Sequence, residues 1–68
     1  MAERKVMVGP RLRRMRLGRN LTQSQMAGEL GISASYLNLI ERNQRPVTVQ
    51  LLLKLGQTYD IDLQRFAV

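Results

Sequence analysis

Apolar residues recur at helical intervals along this chain. Met26, Ala27 and Leu30 form one apolar stripe, and Leu37 and Ile40 belong to a second stripe that follows after a short break. No stretch alternates apolar and polar residues in the way that a half-buried strand does. The chain is therefore predicted to be all-α, with five short helices.

The break between the two central stripes carries start and stop signals. Thr22 and the glutamine three residues later form a capping box, so a helix is predicted to begin at Gln23. Gly31 suits the left-handed residue that ends this helix, and Ser33 caps the next one, which runs to about residue 42. Two short helices joined by a tight turn are typical of a helix-turn-helix unit, whose second helix enters the DNA major groove.

A first helix is predicted ahead of this unit. It begins beside Pro10, which suits a first helical turn, and runs to about residue 19 with Leu12 and Met15 facing inward. Asn20 is expected to turn the chain before the capping box. The residues before this helix, 1–8, are interpreted as a mobile basic arm that reaches a phosphate or the minor groove, with an ordinary frayed terminus as the alternative. Residues 9–68 then form the folded domain.

Two more helices are predicted after the unit. Thr48 caps the fourth, which extends to about residue 59. Its core face is predicted to be Leu52, Leu55 and Tyr59. At least one of the two leucines left over, Leu51 and Leu53, is then exposed. Asp62 caps a terminal turn that holds Leu63 and Phe66.

Composition narrows the possible functions. The 68 residues contain no cysteine and no histidine, which excludes disulfides, thiolate metal sites and catalysis by imidazole. No cofactor, metal or catalytic site is expected. No apolar run is long enough to cross a bilayer, so a cytoplasmic protein is predicted. Eleven lysines and arginines against five acidic residues give a net charge of +6. This charge favours a nucleic-acid partner, although a solvated surface explains it as well.

The central segment resembles the lambda repressor and Cro type of helix-turn-helix, also called the xenobiotic-response-element family. The resemblance rests on Leu21, Thr22, Gln23, Ala27, Leu30, Gly31, Ile32, Ser33, Leu37, Ile40 and Glu41, and it covers roughly residues 9–66. It implies a DNA-binding transcriptional regulator. More narrowly, residues 35–48 look like the N-terminal domain of regulators of short-chain fatty acid metabolism, which implies a longer parent protein with a C-terminal sensor domain.

The resemblance also implies a structural ion pair. In the family, an arginine at the position of Arg16 pairs with a glutamate at the position of Glu41. Glu41 lies one turn after the inward-facing Leu37, so its carboxylate is expected to be partly buried and to need a cation. The alternative is that Arg16 and Glu41 are two unrelated surface charges.

Two sets of DNA contacts are predicted. The residues expected to contact bases are Ser33, Ala34, Ser35, Asn38 and Arg42. The residues expected to contact phosphates are Thr22, Gln23, Tyr36, Asn43, Gln44 and Arg45, where Gln23 matches the family glutamine that grips a phosphate. For each of these the alternative is simple solvent exposure. A homodimer on a near-palindromic operator is expected, because small helix-turn-helix domains rarely bind tightly alone. The dimer would engage two half-sites roughly 34 Å apart, about one turn of the DNA helix.

Two other functions compete with this prediction. The same fold serves as the antitoxin half of a toxin-antitoxin pair, in which case Met7, Leu51 and Leu53 would contact a partner protein. A basic amphipathic peptide that folds only on membranes is the second. An enzyme is not expected, since no nucleophile with an activating base and no glycine-rich phosphate loop is present.

Overall fold

The computed structural model describes residues 8–62, which contain four α-helices and no strand. The helices are α1 (Gly9–Gly18), α2 (Gln23–Leu30), α3 (Ala34–Glu41) and α4 (Val49–Tyr59). The all-α prediction is confirmed, but four helices are found in the described part where the sequence predicted five. The expected fifth helix, with Leu63 and Phe66, lies outside the described residues.

The turn between α2 and α3 follows the predicted signals. Thr22 Oγ1 accepts a hydrogen bond from the Gln25 N–H at 3.0 Å, and Gln25 Oε1 accepts one from the Thr22 N–H at 2.8 Å. Gly31 has a φ of 73°, the left-handed conformation that ends α2. Ser33 Oγ then accepts from the Tyr36 N–H at 3.0 Å and starts α3. These caps confirm the helix-turn-helix unit and its boundaries.

Left-handed backbone also ends other segments. Asn20, where a turn was predicted, and Asn43 both have a φ of 59°, because asparagine tolerates this conformation better than most residues. Asp60 ends α4 in the same way, with a φ of 54°. Three non-glycine residues of the described part therefore adopt the left-handed conformation.

The core is built from all four helices. Its fully buried side chains are Leu12, Met26, Leu37, Ile40 and Leu55. Met15 packs partly buried against this core, as expected. Val8 is also buried, although the sequence assigned it to the arm, so the folded domain includes at least this residue. Residues 1–7 of the predicted arm lie outside the described residues.

The inward face of α4 differs from the prediction at one position. Leu51 is buried with Leu55 and Tyr59, while Leu52 is half-buried and Leu53 is exposed. The buried residues follow a spacing of four, whereas the predicted face began with a spacing of three. Both spacings put residues on one side of a helix, and the way α4 packs on α2 decides between them. Leu52 packs partly buried against the core, as predicted, but Leu51, which the prediction left out of the core face, is more deeply buried. The prediction of an exposed leucine on α4 is confirmed by Leu53.

The start of α1 is hydrogen-bonded to the segment that follows α3. The Gly9 N–H donates to Asn43 Oδ1 at 3.0 Å. A Cβ atom at Gly9 would lie 2.5 Å from the carbonyl oxygens of Ile40 and Glu41, so only glycine fits at this close approach. This contact fixes where α1 begins relative to the helix that carries the candidate site.

Candidate nucleic-acid interface

A buried ion pair joins α1 to α3. Arg16 Nε donates to Glu41 Oε2 at 2.7 Å, and Arg16 Nη2 donates to Glu41 Oε1 at 3.0 Å. The side chains are only 9% and 1% exposed. Arg16 Nη1 also donates to the carbonyl oxygen of Leu21 at 2.9 Å. The hydrogen bonds to Glu41 raise the pKa of Arg16, while burial acts in the opposite direction. The pair expected from the sequence is thus present, and it fixes α3 against α1.

Gln23 connects α2 to the same carboxylate. Its Nε2 donates to Glu41 Oε1 and to Asn38 Oδ1, at 3.1 Å in each case. Glu41 therefore accepts hydrogen bonds from α1 and α2 while it belongs to α3. The bond between Gln23 and Asn38 was not predicted, because these residues lie 15 positions apart and meet only once the helices pack.

The polar side of α3 lies away from its buried residues, Leu37, Ile40 and Glu41. Of the residues predicted to contact bases, Ser33, Ser35 and Arg42 are exposed, while Ala34 and Asn38 are half-buried. Their spacing of three and four residues along α3 brings Ser35, Asn38 and Arg42 to one side of the helix. The oxygen of Ser33 is used in the cap of α3.

The residues predicted to contact phosphates fall into two groups. Gln44 and Arg45 are exposed in the loop after α3, next to Arg42. The other four already have structural tasks in this chain. Thr22 caps α2, Gln23 binds Asn38 and Glu41, Asn43 accepts from Gly9, and Tyr36 packs half-buried against the core.

Exposed arginines lie on α1 and at the end of α3. Arg42 and Arg45 lie at and after the end of α3, and Arg13 and Arg14 are exposed on α1. A guanidinium group binds phosphate through two parallel hydrogen bonds, so each of these arginines is a candidate to contact the backbone of a nucleic acid.

No helix within residues 8–62 has the length and apolar content to span a bilayer.

These features define a helix-turn-helix domain: two short capped helices, a left-handed glycine between them, and a second helix with one buried and one polar side. Comparison with known sequences agrees. The chain belongs to the family described as Helix-turn-helix, whose sequence profile matches residues 12–66. The resemblance to the xenobiotic-response-element type is thereby confirmed.

Similar proteins include named transcriptional regulators. The chain is 48% identical over 59 residues to the HTH-type transcriptional regulator PrpR of Mycobacterium tuberculosis, which covers 87% of this chain and 12% of that protein. It is 43% identical over 63 residues to RamB of the same species, covering 93% of this chain and 13% of that regulator. A propionyl-CoA carboxylase regulator of Cereibacter sphaeroides is 39% identical over 61 residues, which cover 90% of this chain and 13% of that regulator. The chain thus spans about an eighth of these relatives, and the match to the narrower group agrees with the sequence prediction.

A solved structure has the same fold. The restriction-modification controller protein C.AhdI from Aeromonas hydrophila superposes with a TM-score of 0.79 at 36% sequence identity. The match covers 90% of this chain and 92% of that chain. The four helices of the described residues are therefore arranged as in this controller protein.

Proposed function

We propose that this chain is a sequence-specific binder of double-stranded DNA that regulates transcription, with α3 in the major groove. The observation that carries the proposal is the polar side of α3. Ser35, Asn38 and Arg42 share that side, and the ion pair of Glu41 with Arg16 holds the helix rigidly behind it. Side chains on rigid elements lose little entropy when they bind, so this geometry suits the reading of base edges.

Phosphate contacts would set the position of α3 in the groove. Gln44 and Arg45 follow α3, and both are exposed. At the start of α2, the N–H groups of Gln25 and Met26 are bonded to Thr22, whereas those of Gln23 and Ser24 have no partner within residues 8–62. Free N–H groups at a helix start favour an anion. We therefore assign the phosphate contact of Gln23 to its backbone, since its side-chain N–H groups already bind Asn38 and Glu41.

A homodimer on a near-palindromic operator fits this proposal, because one recognition helix covers only one half-site. The relatives named as transcriptional regulators support the regulatory role. The antitoxin alternative is weakened, because Leu51 of its expected contact surface is buried. Met7 lies outside the described residues, so Leu53 alone remains of that surface in the described part.

Binding to DNA is tested by fluorescence anisotropy at two salt concentrations, with duplexes selected from genomic DNA and scrambled duplexes of the same composition. A sequence-specific regulator binds the selected duplexes much more tightly than the scrambled ones. Generic binding weakens as the salt concentration rises but is equally tight for both kinds of duplex. Binding curves with one and two half-sites, together with sedimentation of the complex, test the dimer. Equal affinity for selected and scrambled duplexes would overturn the proposal.

Variants separate the two kinds of contact. Arg45→Ala is expected to weaken binding to every duplex alike and to lower the salt slope by about 1, because one phosphate contact is lost. Lys54→Ala is the matched control, since it removes one exposed cation from α4. Equal losses for both variants would show that net charge alone matters. Asn38→Ala is expected to relax base preference at one position, and an equal loss on all duplexes would contradict its assignment.

A further inference from the structure

The carboxamide of Asn38 is held in one orientation by a chain of hydrogen bonds. The Arg16 guanidinium only donates and the Glu41 carboxylate only accepts. The Gln23 atom that lies 3.1 Å from Glu41 Oε1 must therefore be its nitrogen. The same nitrogen lies 3.1 Å from the Asn38 side chain, so Asn38 must present its oxygen there. The Asn38 nitrogen, Nδ2, consequently points away from Gln23.

This nitrogen is available for a ligand. Within residues 8–62, Asn38 Nδ2 has no hydrogen-bond partner, and no side-chain polar atom there is both fully buried and unpaired. The side chain of Asn38 is half-buried, so water reaches the group. Ser35 and Arg42, each about one turn away, lie on the same side of α3 and are exposed. Asn38 therefore offers two N–H donors at the surface that we propose enters the groove.

We propose that Asn38 reads a keto base, guanine or thymine, as a hydrogen-bond donor. This inference rests on the proposed function. An amide that reads adenine donates to N7 and accepts from the N6 amino group, which requires both of its polar atoms at the base edge. Here the oxygen is engaged with Gln23. Guanine offers O6 and N7 as acceptors and thymine offers O4. Adenine offers the acceptor N7 only beside its N6 amino donor, which meets the outward N–H groups unfavourably, and cytosine offers only its N4 donor. The shared chemistry of the preferred bases is a keto oxygen in the major groove.

Gln23 acts in this reading as a positioning residue. It touches no base in this assignment, but it determines which atom of Asn38 faces outward. A Gln23→Met change keeps the length of the side chain and removes both donors. Asn38 then has no partner for its oxygen and turns freely, so that the bidentate contact with adenine becomes possible.

The test is selection from a pool of duplexes with a randomised core, using the whole 68-residue chain. For the unchanged chain, one position of each half-site is expected to prefer guanine or thymine by on the order of tenfold over adenine and cytosine. Separate duplexes with each of the four base pairs at that position then distinguish guanine from thymine. Asn38→Ala is expected to abolish the preference at that position and to leave the others unchanged.

Two further variants test the orientation itself. Gln23→Met is expected to admit adenine at the same position, a change of base preference that a merely destabilised domain does not give. Ser24→Ala is the matched control, because it removes an exposed polar group from the same turn of α2 without touching Asn38. Should Gln23→Met fail to fold by circular dichroism, Asn38→Asp replaces the outward donors by an acceptor and should move the preference to cytosine or adenine.

The outcomes separate this inference from the proposed function. A binding motif with adenine at the position that Asn38→Ala relaxes would overturn the orientation argument. A motif that Asn38→Ala leaves unchanged at every position would remove Asn38 from base reading. The absence of any motif for the unchanged chain would overturn the proposed function itself, and the inference with it.

Discussion

The buried pair of Arg16 and Glu41 makes a quantitative prediction about stability. Arg16→Met removes the cation and leaves the Glu41 carboxylate, 1% exposed, with the side-chain N–H of Gln23 as its remaining hydrogen-bond partner within residues 8–62. Stranding a buried charge in this way costs about 3 to 5 kcal/mol. At about 0.05 to 0.15 kcal/mol per residue, a chain of 68 residues has a free energy of unfolding of roughly 3 to 10 kcal/mol. The variant is therefore expected to be close to unfolding.

A second change should restore much of this loss. In Arg16→Met with Glu41→Gln, the buried charge is gone and the new amide oxygen still accepts from Gln23. The double variant is therefore expected to be more stable than Arg16→Met alone, by about 2 kcal/mol or more. Glu41→Gln alone is expected to lose less than Arg16→Met, because Arg16 keeps its bond to the carbonyl oxygen of Leu21.

Urea unfolding followed by circular dichroism measures all four proteins of this cycle under one set of conditions. Two results would refute the reasoning. If Arg16→Met lost no more than about 1 kcal/mol, the pair would behave as a surface salt bridge. If the double variant were no more stable than Arg16→Met, the loss would come from packing of the arginine stem and not from a stranded charge.

Three further predictions concern other contacts. Gly9→Ala should destabilise the fold by about 1 to 3 kcal/mol in urea unfolding, because the new Cβ would clash with backbone oxygens. Gly28→Ala places its Cβ in open space and should stabilise the fold by about 0.5 to 1 kcal/mol. Equal effects of the two changes would contradict the clash. Burial and the hydrogen bond to a glutamate raise the pKa of Tyr59 above its usual value of 10.0. The contribution of Tyr59 to the free energy of unfolding should therefore be fully present below about pH 10 and decrease as the pH rises above it. Urea unfolding at about pH 8 and about pH 11 should show this fall, and Tyr59→Phe should remove it; a fall that persists would refute the assignment. Asn38→Ala should lower the melting temperature more than Ser35→Ala, since of these two side chains only Asn38 forms a hydrogen bond to another helix in the described part. Equal melting temperatures would count against the network.

Short-range signals in the sequence were sufficient for the helix-turn-helix unit. The caps at Thr22 and Ser33 and the left-handed Gly31 depend on residues at most three positions away, so they could be predicted without knowledge of packing. The ion pair of Arg16 and Glu41 came from the family resemblance, because nothing local connects residues 25 positions apart.

Contacts that depend on how helices pack were not predictable in the same way. The oxygen of Asn43 accepts from Gly9, 34 positions earlier, and no local pattern indicates this bond. The phosphate contact of Asn43 stays a prediction. Whether Leu51 or Leu52 is more deeply buried depends on the rotation of α4 about its own axis, which a helical period alone does not specify. The base contact of Asn38 stays a prediction, and the direction of its amide follows only from the neighbours that it meets when the helices pack.

The position of Glu41 ties the stability of the domain to the geometry of its proposed reading surface. Its carboxylate receives hydrogen bonds from Arg16 on α1 and from Gln23 on α2, and Gln23 in turn holds Asn38. A change that loosens this network therefore alters both the free energy of unfolding and the orientation of Asn38. The side chain of Ser35 has no such bond within the described residues, so a change at Ser35 should leave this network intact.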